Sequence, residues 1–334
     1  MKASLSALLS LLVLFSPLKA SAEVIERRIC VFDIAGNAGP TMQAMRDWRA
    51  EALEWGLDAN LVPFTNESIA VEELQARRCD AVLMTGIRAR NYVPYSGTLD
   101  SLGGIPDNEH LRMVLQVMAH PSRADKMATD SFEVMGIAPA GAAYIFVNDR
   151  EINSLPKAAG KKVAVLEFDP TQAKMVSQMG ATPVSSDLTN FSNRFNNNVV
   201  DVIAAPLAAY NALELYRGLS PDGAIIDYPL AQISMQLIAR RDTMPREISQ
   251  KSREYFFDNF DTILEILNRE AEHVDPDWFQ PIPEEDQREY EVMMQDARVE
   301  LRDEGYYDPE MLTLQRRVRC RLDAGRSECA DSRE

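Results

Sequence analysis

The chain reads as an α/β protein of two lobes, with hinge strands between them and a helical C-terminal region. Three observations predict this. A β-α-β-α-β order of elements occurs twice, about 120 residues apart. Two long extended stretches lie between and after the copies. From about residue 246 onward the sequence turns helical and acidic.

The first copy begins with "RRICVFDIAG" (27–36), apolar and without helical spacing, as a buried strand requires. "GPTMQAMRDWRAEALEWG" (39–56) predicts a helix, with Pro40 just inside its start and Gly56 just past its end. Met42, Met45, Trp48 and Ala52 share one face of it. "ANLVPF" (59–64) is a strand, "ESIAVEELQARR" (67–78) a helix and "CDAVLMTG" (79–86) a third strand. Helices alternating with short apolar strands imply a parallel sheet joined by right-handed crossovers.

The second copy keeps that order. "GKKVAVLEF" (160–168) is a strand, and "DPTQAKMVSQMG" (169–180) a helix with Asp169 as N-cap, Pro170 at its first position and Gly180 as its stop. "ATPVSS" (181–186) is a short strand, and "DLTNFSNRFNN" (187–197) a helix with Leu188, Phe191 and Phe195 on one side. "VVDVIAAP" (199–206) closes the unit. Between the copies, 132–148 is long, apolar and punctuated by turn residues; after them, 231–242 alternates as a strand. Two such connections between two α/β lobes describe a hinge with a cleft. The predicted division is 23–138 plus 236–334 for lobe one and its C-terminal helices, and 139–235 for lobe two.

Residues 1–22 read as a cleaved signal peptide: Lys2, an apolar run Leu5–Phe15, then Ala20-Ser21-Ala22 as a small-x-small cleavage site. Export to the periplasm is expected, with no membrane insertion after cleavage. Removing the leader takes away two lysines and no acids, moving the net charge from −16 to −18. That balance argues against nucleic acid and anionic membrane surfaces as partners. Four cysteines in an oxidising compartment suggest disulfides. The closeness of Cys320 and Cys329 favours that pair together with Cys30–Cys79; free buried thiols are the alternative.

No enzyme signature emerges. His110, His120 and His273 are scattered without metal-ligand spacing. There is no G-x-S-x-G, no H-E-x-x-H and no phosphate-cradling loop. "GNAG" (36–39) offers backbone N–H groups before a helix, as any tight strand-to-helix turn does. "HVDPDWFQPIPEED" (273–286) lacks calcium-loop spacing and reads as a solvated loop. Fifteen methionines are spread over many elements, which favours core packing over metal binding. Neither metal nor cofactor is expected.

Specific segments carry a family resemblance. "LPKAAGKKVAV" (155–165), "MGATPV" (179–184) and "NNNVVDVIAAPLAAYNALELY" (196–216) resemble, in order and spacing, the second lobe of TRAP-transporter solute-binding proteins. "ELQARRCDAVLM" and "LDSLGGIPDNEH" (99–110) resemble segments of that family's first lobe. The resemblance covers roughly 50–250, and points to a divergent branch of solute-binding proteins, some labelled as efflux-pump components. It implies a two-lobed periplasmic-binding-protein-like fold that captures a small solute between its lobes and delivers it to membrane transporter subunits. The alternative is a periplasmic adaptor of an efflux or envelope complex with a vestigial cleft. The family's two ligand-clamping arginines match Ala164 and about Ala143 here. Succinate, malate and similar dicarboxylates are therefore expected to bind weakly.

Ligands of open α/β sheets bind at loops that follow strand C-termini. Here those are Asp33–Gly39 and Thr85–Tyr95 in lobe one, and Glu167–Thr171 and Ala205–Tyr210 in lobe two. The candidate ligand-binding residues are Asp33, Asn37, Thr85, Arg88, Arg90, Tyr92, Glu167, Phe168, Pro206 and Tyr210. Arg88 and Arg90 can replace the missing clamp from the opposite wall, or be solvated loop cations. Glu167 favours a cationic or polyhydroxylated ligand, or simply sits by a helix N-terminus. Tyr92, Tyr95, Phe168 and Tyr210 are apolar walls.

Overall fold

The computed structural model describes residues 24–331 and 333–334; the expected leader lies outside the described residues. Strand β1 (Ile25–Phe32), helix α1 (Pro40–Glu54), β2 (Leu57–Phe64), α2 (Glu67–Gln75) and β3 (Ala81–Thr85) form the first unit in the predicted order. β1 lies between β2 and β3 and pairs parallel with both. β1 ends at Phe32, short of the predicted Gly36, because the chain folds back at Asp33. The Asp33 carboxylate accepts from Ala35 N (2.8 Å) and Met42 N (3.0 Å), satisfying a free N–H of the first α1 turn.

α3 (Asn108–Ala119) precedes β4 (Phe132–Val147). β5 (Lys162–Leu166), α4 (Pro170–Gln178), β6 (Thr182–Ser186), α5 (Phe191–Asn196) and β7 (Val202–Pro206) then make the second unit. β5 pairs parallel with β6 and β7. Helix α5 starts at Phe191 and not at Asp187. The Asp187 side chain takes the Thr189 N–H (2.8 Å) and Asn190 takes that of Asp187 (3.1 Å), so a side-chain-closed turn replaces the first helical turn.

β4 and β8 (Ala224–Arg240) run antiparallel to each other through the whole molecule. The sheet order β2-β1-β3-β8-β4-β7-β5-β6 places both units on these shared central strands. The turn-punctuated stretch 132–148 is thus one sixteen-residue strand. It absorbs its glycines and proline as register shifts, at Val134/Gly136, Pro139/Gly141 and Ala143/Ile145. Gly141 lies at φ +95°, which an L side chain rarely adopts. β8 begins seven residues before the predicted 231. Within the presumed solvated loop 273–286, β9 (Phe279–Gln280) pairs parallel with β8 at Ile225 and Ile226, a strand too short to leave a periodic signal.

α6 (Arg246–Asp258) and α7 (Phe260–Ala271) follow β8, and α8 (Glu284–Asp303) and α9 (Pro309–Leu322) complete the chain. Apolar side chains fill both faces of the first unit: Val82, Met84, Val114 and Ile238 on one, Met45, Trp48, Leu83 and Leu237 on the other. The second unit packs around Phe146, Phe191, Phe195 and Ile203. Both expected disulfides form. Cys30–Cys79 spans 6.0 Å between Cα atoms and Cys320–Cys329 spans 5.5 Å.

Candidate ligand cleft

The loop after β3 is packed from the inside. Gly97 is obligatory there, since a Cβ on it would stand 2.2 Å from the Arg90 Cα. Gly86 likewise leaves room for the Asp100 carboxylate and the Ser234 hydroxyl. Asp100 accepts from Ser234 N (3.0 Å) and Ser234 Oγ (2.6 Å), and its burial pushes the carboxyl up to about 7 despite those bonds and nearby Arg90. These close approaches bring the post-β3 loop against β8 and aim Arg88 and Arg90 toward the second lobe.

The two arginines differ in what they have left to offer. Arg88 donates from Nε to Glu67 Oε2 (2.9 Å) and from Nη2 to Ser68 Oγ (3.0 Å). Glu67 also accepts from Thr85 N (2.6 Å), so a buried carboxylate at the start of α2 fixes the loop and the cation together. The guanidinium of Arg88 stacks 3.7 Å above the Phe168 ring, joining the loop after β3 to the loop after β5. Arg88 is already committed.

Arg90 is not. It is 5% exposed, donates only from Nε, to Gly97 O (3.2 Å), and has no carboxylate within ion-pair distance among the described residues. Its guanidinium lies 4.5 Å from the Tyr306 ring centre and 4.8 Å from that of Tyr307. Burial weighs against its charge, but the ionisable neighbours Tyr307 and Tyr306, at the high pH where they ionise, with Asp169 and Asp100, outweigh it and hold Arg90 above the usual arginine range. Burial also raises the hydroxyls of Tyr306 and Tyr307, so both stay protonated; that of Tyr306 bonds to Thr171 and Asp169, and that of Tyr307 accepts from Leu102 N (3.4 Å). Asp169, 4% exposed, caps α4 by accepting from Thr171 N (3.1 Å) and Thr171 Oγ1. The resulting seam joins Arg88 and Arg90 of lobe one to Phe168 and Asp169 of lobe two, with the Tyr306–Tyr307 turn beside it.

Of the other candidates, Thr85 and Glu167 border the seam and the rest lie away from it. Asp33 is the buried α1 cap, and exposed Asn37 accepts from Arg46 through its Oδ1 (2.9 Å). Thr85 caps its own loop by accepting from Arg88 N (3.4 Å). Tyr92 packs edge-on to Phe132 in lobe one, its hydroxyl accepting from Gln75 (2.9 Å). Tyr95 is buried in that same core. Glu167 is exposed, and its N–H donates to Ser186 O (2.9 Å). Pro206 pairs with Ala143 in the β4–β7 ladder, and Tyr210 is buried in the lobe-two core beside Tyr216. Among the described residues no cluster of His, Cys, Asp and Glu could hold a metal ion. No helix among them is long and apolar enough to cross a membrane.

Sequence reasoning missed Asp100, Tyr306 and Tyr307 as neighbours of the cleft. The only sign of the tyrosines is an aromatic pair within an otherwise charged helical region, just before the Asp308-Pro309 cap.

The fold matches those of known proteins. Solved structures of similar architecture include a TRAP periplasmic solute-binding protein from Desulfovibrio salexigens with bound orotic acid, at TM-score 0.70 and 13% identity, covering 89% of this chain and 99% of that one. Another is a TRAP periplasmic solute-binding protein from Shewanella oneidensis with bound succinate, at TM-score 0.69 and 11% identity, covering 88% and 99%. These likenesses establish the two-lobed fold. In sequence, the chain is 36% identical to the probable solute-binding protein AdeT1 of Acinetobacter baumannii over 300 residues, 90% of this chain and 99% of that protein. The family model for the solute-binding proteins AdeT 1/2 matches residues 33–334. The chain belongs to the AdeT 1/2 family of solute-binding proteins.

Proposed function

We propose that the seam around Arg90 is the solute site, and that the solute is a small organic acid carrying a single negative charge. The observation that carries this is the Arg90 guanidinium itself: buried, charged and without an anionic partner. Among the described residues its Nη groups make no hydrogen bond, so both are left to donate to an anion that enters the seam. The Tyr306 and Tyr307 rings flank the cation and wall the site. Asp169 and Asp100 lie in its field, and Ala143 and Ala164 add no second cation. One cation among carboxylates suits one negative charge and opposes two. Orotic acid and succinate, named with the structural neighbours, share the carboxylate but differ in its number.

Entry requires the lobes to part at the Arg88–Phe168 stack. The lobes divide near 138/139 and 235/236, beside the register shift at Pro139/Gly141. Closure over the solute is the signal that membrane transporter subunits read, and the working compartment is the periplasm.

Thermal shift against a panel of mono- and dicarboxylic acids tests the site. A true ligand at 100 times its dissociation constant stabilises the fold by about 2.7 kcal/mol. Calorimetry on Arg90→Gln should then show affinity reduced by roughly 30-fold or more, the usual result of deleting a buried charge partner. Circular dichroism confirms that the variant is folded. Monoacids that bind Arg90→Gln undiminished, or a dicarboxylate that binds more tightly than every monoacid, would refute the assignment.

A further inference from the structure

Of the two carboxylates whose fields reach Arg90, Asp100 belongs to lobe one and Asp169 to lobe two. Asp100 and Arg90 share the segment after β3, so their separation holds when the lobes part. Asp169 travels with lobe two, because it is fixed to the start of α4. Its Oδ1 accepts from Thr171 N (3.1 Å), Thr171 Oγ1 and Gln172 N (3.4 Å). Its place against lobe one is set from both sides. Phe168, the preceding residue, lies under the Arg88 guanidinium at 3.7 Å, and Met175 of α4 packs against the cluster that holds Tyr306 and Tyr307. The Tyr306 hydroxyl, whose ring is 4.5 Å from the Arg90 guanidinium, bonds to Asp169.

The charge of Asp169 is not cancelled locally. The residue is 4% exposed, and each hydrogen bond to its Oδ1 comes from a neutral donor. Two of those donors are N–H groups of the first α4 turn, where the helix dipole favours a negative charge. No Lys or Arg lies within ion-pair distance of it among the described residues. Such a carboxylate repels an anion held at Arg90 in proportion to that anion's own charge. The repulsion is weak while the lobes are apart and full once they meet.

We propose that Asp169 sets the solute specificity, and that it acts at the closing step. The inference rests on the assignment of the solute site to Arg90, and adds which residue counts the charges and when. A solute with one negative charge satisfies Arg90 and leaves lobe two free to close. A solute with two can meet Arg90 in the open cleft, but its second carboxylate meets Asp169 as the lobes approach, and closure stalls. Discrimination between the acids then lies in the closed population and not in the first encounter.

Succinate and its monomethyl ester test this, since they share one carbon frame and differ by one charge. Both are titrated into the full chain by calorimetry near neutral pH, with small-angle scattering at saturating acid. In wild type the ester should bind more tightly and lower the radius of gyration, whereas succinate should not lower it. Asp169→Asn removes the charge and keeps the cap, since an asparagine oxygen accepts the same N–H groups; Asp169→Ser is a second neutral cap. In both variants the ester should gain affinity on the order of tenfold and succinate about the square of that factor, because the repulsion removed scales with ligand charge. Succinate should then compact the protein as the ester does. Equal gains for the two acids, or a succinate complex that stays open in both variants or is already compact in wild type, would overturn the inference and leave the solute site standing. Arg90→Gln separates the other failure. Ester binding that this variant leaves undiminished, or no binding of either acid to any of these chains, would remove the site assignment and this inference together.

Discussion

The two lobes share one element order but not one depth of core. Every residue of β3 in lobe one is buried, whereas in β5 of lobe two only Val165 is, and in β6 only Ser186. Lobe one packs side chains against both faces of its strands, and Trp48 is fully buried with its Nε1 donating to Ser252 Oγ (2.9 Å). It also carries a disulfide from β1 to the turn just before β3, and the C-terminal segment that bears the second one. Lobe two relies on one aromatic cluster, two small aliphatic ones around Val202 and Val165, and the shared strands β4 and β8. The lesson is a division of labour. Lobe one is the rigid platform, and lobe two is the thinner element that a closing motion can afford to move.

The disulfides offer the largest test of that contrast. In the chain-entropy model, a cross-link stabilises in proportion to the logarithm of the loop it closes. Cys30–Cys79 closes 49 residues and Cys320–Cys329 closes 9, so Ala substitution of each pair should cost about 4 and about 2.5 kcal/mol respectively. Denaturant unfolding followed by circular dichroism measures both. If loss of the tail pair proved the more damaging, the centre of stability would lie in the C-terminal segment and not in the lobe-one sheet.

The dependence on pH sharpens the picture, since two carboxyls of the platform are shifted in opposite directions. Burial alone would raise Glu328, but bonds from Arg319 and Arg326 and the charge of Arg298 bring it down to about 2 from an ordinary 4.5. Its contribution is complete above pH 4.5 and is lost as pH falls through about 2. Asp100 runs the other way. The native carboxyl keeps its proton up to about 7, while the unfolded one releases it near 3.8, so its contribution declines as pH rises between those values. Melting curves across pH should therefore lose part of their acid limb in Glu328→Gln, and part of their decline toward neutrality in Asp100→Asn. Unaltered slopes in both would mean that neither group titrates with folding.

What could be read from the sequence follows the same division. Met42, Met45, Trp48 and Ala52 were legible as one buried face because a helix repeats its contacts every few residues. Asp169 was legible as a cap because capping is local. Arg88 and Arg90 could be placed near the cleft by topology alone. Their difference could not, since it depends on Glu67, twenty-one residues from Arg88, and on Tyr306 and Tyr307, more than two hundred residues beyond Arg90.

The smallest expected effect lies at the outer edge of the seam, where the moving lobe rests on the platform. Lys174 of α4 donates to Glu300 of α8 (2.8 Å) and to Glu304 just past its end, while neighbouring Met175 packs against the Leu301, Tyr307 and Leu312 cluster. The ion pairs are exposed, so salt screens them and their contribution to global stability is small. Their position matters more than their strength, because they are made only while the lobes are together. Lys174→Ala should leave the unfolding midpoint nearly unchanged yet enlarge the radius of gyration in small-angle scattering at low salt. Wild-type protein at high salt should approach the variant, and the residual compactness of both should reflect the apolar Met175 contact that salt does not weaken. A variant indistinguishable from wild type at low salt would show that Met175 and the Arg88–Phe168 stack hold lobe two without help from charge.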